Sequence, residues 1–382
     1  MNLLREWGSH TESPFAKAVA ARGSAVIDLI TASPNENDFA VDAAMLRAVI
    51  DEAMKQRHVR SYAPVASGQI AARLAIARYY GDDDPQRIVL TPGTSMGYFY
   101  GLRLLTEPGD EILVPKPGYP LLDDLCAVCG IGIRNYHLKE ADEDWRIDID
   151  DLEFQITKRT RAVVIVSPHN PTGSVCSATD YERLAAICQR HNLALFVDEV
   201  FCEFLRNPSQ LFPRPIGRGF PLAITLNGFS KMFSLPAWKI AWMRIEGDSA
   251  RTRTFLNALD HLSDTFLPVN ELTQAMISPL LENHRKIVDG FAQTFRERMA
   301  IARELSPLPT KNPAGGVYLC AELPSHVNDE QFAIRLLDDC GVLMHPGYFY
   351  GLPRHLVMTC VAQPDQLREG LTRLRAACES FA

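Results

Sequence analysis

Lys231 is the side chain in this sequence best placed to act as a nucleophile. It follows the apolar run Leu222 to Leu226 and lies among small and aromatic residues as far as Trp242. An amine in such surroundings is poorly solvated, which lowers its pKa and lets it form a Schiff base. A lysine at a strand end can also simply snorkel to solvent, so the reading rests on four other stretches. Thr91-Pro-Gly-Thr-Ser-Met-Gly97 is a turn of small residues ahead of a helix. Gly93 lets the backbone approach an anion, and the first helical N–H groups with the hydroxyls of Thr94 and Ser95 can donate to it; the alternative is a plain helix cap. Tyr119, held between Gly118 and Pro120, can lie flat on a planar ring or be an ordinary loop aromatic. In Ser167-Pro-His-Asn-Pro-Thr-Gly173 two prolines fix the backbone around Asn170, whose amide is thereby preorganised to donate to an oxygen. Asp198 closes an apolar stretch and can hold a ring nitrogen protonated, or cap a helix.

Alternating patterns must position these groups. Strands are expected at Arg87 to Thr91, Glu111 to Val114, Ile133 to Leu138, Arg161 to Val166 and Leu193 to Val197. Helices are expected between them, at Met96 to Leu105, Leu121 to Cys129, Ile149 to Ile156 and Ala178 to His191. Short, nearly all-apolar strands between helices predict an α/β fold, a mostly parallel sheet covered on both faces in three α/β/α layers. Sites in such sheets form at the carboxyl ends of strands, where each chemistry-bearing stretch falls. After Trp242 the pattern changes to a long helical region from Arg251 to about Leu305, broken near Pro268. The remainder reads as a smaller α/β unit, with strands at Gly316 to Cys320, Val342 to His345 and His355 to Cys360. Residues 1–25 read as a helical arm and Val26 to Ile30 as a strand. The expected division is 1–40 as arm and part of the small domain, 41–270 as the large domain and 271–382 as the small one.

At 382 residues the chain is long for one core, and 47% hydrophobic residues suffice to fill two lobes. Charged residues make up 22% and the net charge is -7, which gives no electrostatic footprint for nucleic acid or an anionic membrane. Nine cysteines without framework spacing fit the reduced thiols of the cytosol. Cys126 and Cys129 form a lone C-x-x-C with no second pair, so no metal site is expected. Met1 to Trp7 carries charge where a secretion signal needs an apolar run, and no segment approaches ~18 uninterrupted apolar residues. The expected location is the cytoplasm, with no membrane partner.

The segment Leu226 to Trp242, the S-P-x-N-P-T-G run, Asp198 and the turn after Thr91, in this chain order, resemble the aspartate-aminotransferase-like enzymes of fold type I, class I/II. The resemblance covers nearly the whole chain. It implies pyridoxal 5'-phosphate as cofactor, carried by Lys231 as a Schiff base, with Lys231 later serving as base and acid for a 1,3-proton shift. It also implies Asn170 donating to the phenolate oxygen, Tyr119 stacked on the pyridine, and Asp198 paired with its nitrogen so that the ring is an electron sink. Gly93, Thr94, Ser95, Ser230 and Lys239 then hold the phosphate. Tyr62 matches the tyrosine that reaches the phosphate of the other subunit, which implies a homodimer with shared sites. The implied activity is amino transfer between an amine or amino acid and a 2-oxo acid.

Three positions depart from that family. Phe201 stands where a tyrosine usually donates to the phenolate oxygen, and losing that donor raises the Schiff-base pKa. Lys239 replaces a phosphate-binding arginine, keeping the charge without the bidentate fork. Val357 stands where an arginine usually clamps the substrate's α-carboxylate. Either another group holds the carboxylate, with Arg354, His345 and Lys116 as candidates, or the substrate amine lacks it. Decarboxylase, lyase/cyclase or oxidase chemistry on the same cofactor is the alternative to amino transfer.

Overall fold

The computed structural model describes residues 12–22, 26–31, 37–141, 143–267 and 269–381. Its main sheet has eight strands: β1 (Ile88–Thr91), β2 (Glu111–Lys116), β3 (Gly132–Glu140), β4 (Trp145–Ile147), β5 (Thr160–Val166), β6 (Ala194–Asp198), β7 (Leu222–Gly228) and β8 (Ala241–Gly247). Their order is β1-β8-β7-β6-β5-β2-β3-β4, and all run one way except β8 and the edge strand β4. The all-apolar strands follow from burial on both faces. Leu113, Val163, Ile165, Leu195 and Val197 enter one core, while their neighbours Ile112, Val114, Ala162, Val164 and Phe196 enter the other. The helix Thr94–Leu105 seats closely on that second face through two glycines: a Cβ on Gly97 would stand 2.7 Å from Leu226 Cδ2, and one on Gly101 2.6 Å from Phe196 Cε1.

β8 lies where the sequence pattern appeared to leave the sheet. Its apolar run is interrupted by Arg244 and Glu246, which are buried as an ion pair that also engages Asp82 at 3.1 Å. Buried charges of this kind conceal a central strand from a hydropathy reading. The long helical region resolves into Ser249–Phe266, Glu271–Ala275, Ile277–Glu282 and His284–Leu305; Pro268, the expected break, lies outside the described residues.

A second, three-stranded antiparallel sheet contains β9 (Tyr318–Glu322), β10 (His345–Pro346) and β11 (His355–Thr359), in the order β9-β11-β10. The strand expected across Val342 to His345 is split: Val342–Leu343 pairs in parallel with Ile27–Asp28, and only His345–Pro346 joins this sheet. Both chain ends thus meet in one core that holds Phe15, Leu29, Leu336, Met358 and Leu371. The helix Pro14–Arg22 packs within its own chain, with Arg22 Nη1 donating to the Asp338 carbonyl at 2.7 Å. The rest of the expected arm, residues 1–11 and 23–25, lies outside the described residues.

Candidate active site

Strand register brings the candidate groups to one edge. Asp198, the last residue of β6, is opposite Val166 of β5 and Leu226 of β7. Asn170 lies just beyond Val166 and Lys231 just beyond Gly228, so the three leave the same edge on adjacent strands. The Asn170 loop is tied to its neighbours. Ser167 N donates to the Asp198 carbonyl at 2.9 Å, and Cys176 N donates to Ser167 Oγ at 3.0 Å. Gly173 has φ 71°, and a Cβ there would stand 2.4 Å from Pro313 Cβ and 2.5 Å from the Gly315 carbonyl oxygen, so glycine is required. Asn170 is consequently buried; its amide meets the Tyr318 hydroxyl, and its Oδ1 has no hydrogen-bond partner among the described residues.

Lys231 sits in the short helix Phe229–Met232, whose start is pinned by Phe229 N donating to the Ile240 carbonyl at 2.9 Å. Burial lowers its pKa, opposed by the charge of Asp198, and its Nζ lies 5.8 Å from the centre of the Phe201 ring. Burial pushes Asp198 up to about 6. Two donors hold its carboxylate: Val200 N at 3.1 Å on Oδ1 and the Tyr98 hydroxyl at 3.3 Å on Oδ2. Tyr98 was not among the sequence candidates. The signal available was its place one helical turn beyond Thr94, on the face that Gly97 and Gly101 turn to the sheet.

The small-residue turn also has its partners. The helix Thr94–Leu105 starts at Gly93 with no side-chain cap, leaving its first N–H groups for another acceptor. Thr91 and Gly228 both pair with Ala241, which draws the turn, Ser230 and Lys239 together. A Cβ on Gly93 would lie 3.8 Å from Lys239 Nζ. An uncapped helix start with an ammonium beside it is an anion seat.

Other candidates lie further out. Tyr119 is 50% exposed and lies near Tyr318 and Tyr350, while Gly118 N donates to the Tyr350 carbonyl at 2.8 Å. Tyr62 is not brought to this site within the chain: it is 87% exposed and lines a surface groove with Arg60, Ala63 and Asn270. Cys126 and Cys129 are buried, and burial pushes the Cys126 thiol up to about 12. Behind Asp198, the fully buried Glu199 is raised to about 7 by burial and accepts from Arg214 Nε at 3.1 Å. Arg214 in turn donates to the Tyr79 hydroxyl at 3.1 Å.

An amine of lowered basicity, a buried acid and a basic anion seat thus lie together at the carboxyl edge of a mostly parallel α/β sheet. Residues 27–374 match the family of aminotransferases of class I and II. The chain belongs to that family and is an enzyme of that type. It is 27% identical over 391 aligned residues to the arginine–pyruvate transaminase of Pseudomonas aeruginosa, covering 95% of this chain and 96% of that protein. It is 26% identical to the alanine aminotransferase of Mycobacterium tuberculosis, covering 94% of this chain and 87% of the relative. A crystal structure of an aminotransferase from Escherichia coli matches with a TM-score of 0.85 at 25% identity, covering 96% of this chain and 94% of that one.

Proposed function

We propose that the chain binds pyridoxal 5'-phosphate and uses it to move an amino group between an amine or amino acid and a 2-oxo acid. The observation that carries this reading is the meeting of Lys231, Asp198 and Asn170 at the ends of three neighbouring strands, with the Gly93 turn and Lys239 beside them. The fit to the cofactor is supported by the uncapped helix at Gly93, whose first N–H groups await an acceptor with Lys239 Nζ close by. When bound, the cofactor supplies an electron-withdrawing ring that stabilises negative charge on the carbon bearing the transferred nitrogen.

The chain's own residues do the rest. Lys231, its basicity lowered by burial, would hold the cofactor through its amine and would take and return the proton that moves between carbons. Asp198, fixed by Val200 and Tyr98, would as an anion keep the cofactor's ring nitrogen protonated. Thr94, Ser95, Ser230, the Gly93 backbone and Lys239 would hold the phosphate, and Tyr119 would stack on the ring. Residues 41–270 carry these groups and 271–382 form the smaller unit, whose core the described Phe15 and Leu29 join. Tyr62, directed outward, reaches the partner's phosphate in a homodimer. No helix among the described residues is long and apolar enough to cross a membrane, and a cytoplasmic setting suits the buried thiols. The test is a half-reaction: purified protein loaded with cofactor is mixed with amino donors, and the oxo product is assayed. Loss of the cofactor's visible band with stoichiometric oxo product is expected; release of carbon dioxide or ammonia in place of that product would contradict amino transfer.

A further inference from the structure

The register of the small sheet fixes what it turns toward Lys231. Tyr318, Cys320 and Glu322 of β9 are opposite Thr359, Val357 and His355 of β11, and His345 of β10 is opposite Val357. Residues directly opposite in such a ladder share a face, as do alternate residues of one strand. The intervening residues Leu319, Ala321, Leu356 and Met358 face the small core. The first set therefore faces the main sheet. Its contacts agree: Tyr318 lies edge-on to Phe201 with ring centres 5.8 Å apart, its hydroxyl meets Asn170, and Cys320 Sγ donates to the Pro171 carbonyl at 3.4 Å. Phe201 is the ring that stands over Lys231 Nζ. This face closes the space above the reactive amine.

The face carries neither lysine nor arginine. Val357 is buried between Cys320 and His345. His345 Nδ1 lies 2.9 Å from the Tyr350 hydroxyl, and burial depresses the imidazole to about 4, so it is neutral at pH 7. His355, at the far end, lies against Trp145, and Glu322 there is exposed. Arg354 is exposed, one residue before β11. Lys116 is exposed at the end of β2, where a Cβ on Gly351 would stand 2.8 Å from its Cε, which puts it at the rim. A carboxylate moved from water onto the Val357 face would lose its hydration with no lysine or arginine among the described residues of that face to replace it. Neutral aromatic and hydroxyl groups, by contrast, suit an uncharged substituent.

Building on the aminotransferase reading, we propose that the substrate turns an uncharged portion toward Val357, and that the donor is a primary amine with no carboxylate on the carbon bearing the transferred nitrogen. The 2-oxo acid acceptor enters the same space and therefore binds weakly.

The test uses the cofactor-loaded enzyme and pairs of donors that differ only by that carboxylate: 2-phenylethylamine with phenylalanine, tyramine with tyrosine, and putrescine with ornithine. Binding is read twice, from the cofactor's absorbance and from the rise in melting temperature. The amine of each reactive pair is expected to half-saturate at a concentration lower by about tenfold or more. Val357→Arg, checked for an unchanged cofactor spectrum, is expected to strengthen the amino acids by a similar factor and to weaken the amines, whose uncharged portion meets Val357. Lys116→Gln, at the rim, is expected to leave the ratio unchanged and tests the idea even if the first variant does not fold. An amino acid preferred by the wild type, or amino-acid binding lost in Lys116→Gln, overturns the proposal. Failure of the underlying aminotransferase reading looks different: both donor classes bind, and neither yields an oxo product.

Discussion

Tyr98→Phe removes one hydroxyl and leaves the ring stacked on Phe196, with centres 5.8 Å apart. The hydroxyl donates to Asp198 Oδ2 at 3.3 Å, and a hydrogen bond to a charged acceptor at that length falls at the low end of its range, about 1.4 kcal/mol. That amount equals about one pKa unit. Asp198, already raised to about 6 by burial, would be raised further. Only the ionised acid pairs with a protonated ring nitrogen, so cofactor affinity falls as pH drops through the pKa. Wild type and variant should bind pyridoxal 5'-phosphate alike at pH 8.5, differ about threefold at pH 6.5, and approach a tenfold difference below pH 5.5. Other titrations of the cofactor are common to both proteins and cancel in the ratio. The assay is fluorescence titration of cofactor-free protein across that range. Coincident curves at pH 6 would refute the assigned role of the hydroxyl.

Further outcomes follow from the same geometry. Gly97→Ala places a methyl 2.7 Å from Leu226 Cδ2 and should lower stability by about 1–3 kcal/mol in urea unfolding, with Gly290→Ala, which meets nothing within 4 Å, as the control. Arg214→Leu strands the buried Glu199 carboxylate and should cost about 3–5 kcal/mol at pH 8. That cost should shrink as pH falls below 7, because Glu199 then takes a proton and no longer needs the cation, and adding Glu199→Gln should recover much of it. Lys239→Ala should weaken cofactor binding about tenfold, and Lys239→Arg should tighten it by restoring a forked donor; equal dissociation constants for all three would remove Lys239 from the phosphate seat.

Much of the arrangement was legible in the sequence because the central strands are buried on both faces and their loops carry unusual residue combinations. The helix Ala178–His191 was legible to its ends, since Ser177 and Asp180 form a capping box and Asn192 stops it in the left-handed region. β8 was not legible, because Arg244 and Glu246 break its apolar run, and their pairing with each other and with Asp82 exists only in the folded strand. Tyr98 escaped for a different reason: an aromatic on an amphipathic helix reads as core until the strand beside it is known to end in an acid. The neutral face around Val357 depends on cross-strand register, which no local pattern in β9, β10 or β11 specifies. The outward direction of Tyr62 likewise belongs to the folded chain and is invisible in Ser61 to Pro64.

The claim on which everything else depends is that the amine of Lys231 carries the cofactor. Reduction of the loaded protein with borohydride, followed by digestion and peptide mass spectrometry, tests it independently of turnover. The account predicts one pyridoxyl group fixed on Lys231 and none on the Lys231→Ala protein. A pyridoxyl group found on another lysine, or no fixed group on a wild-type protein incubated with cofactor, would contradict it.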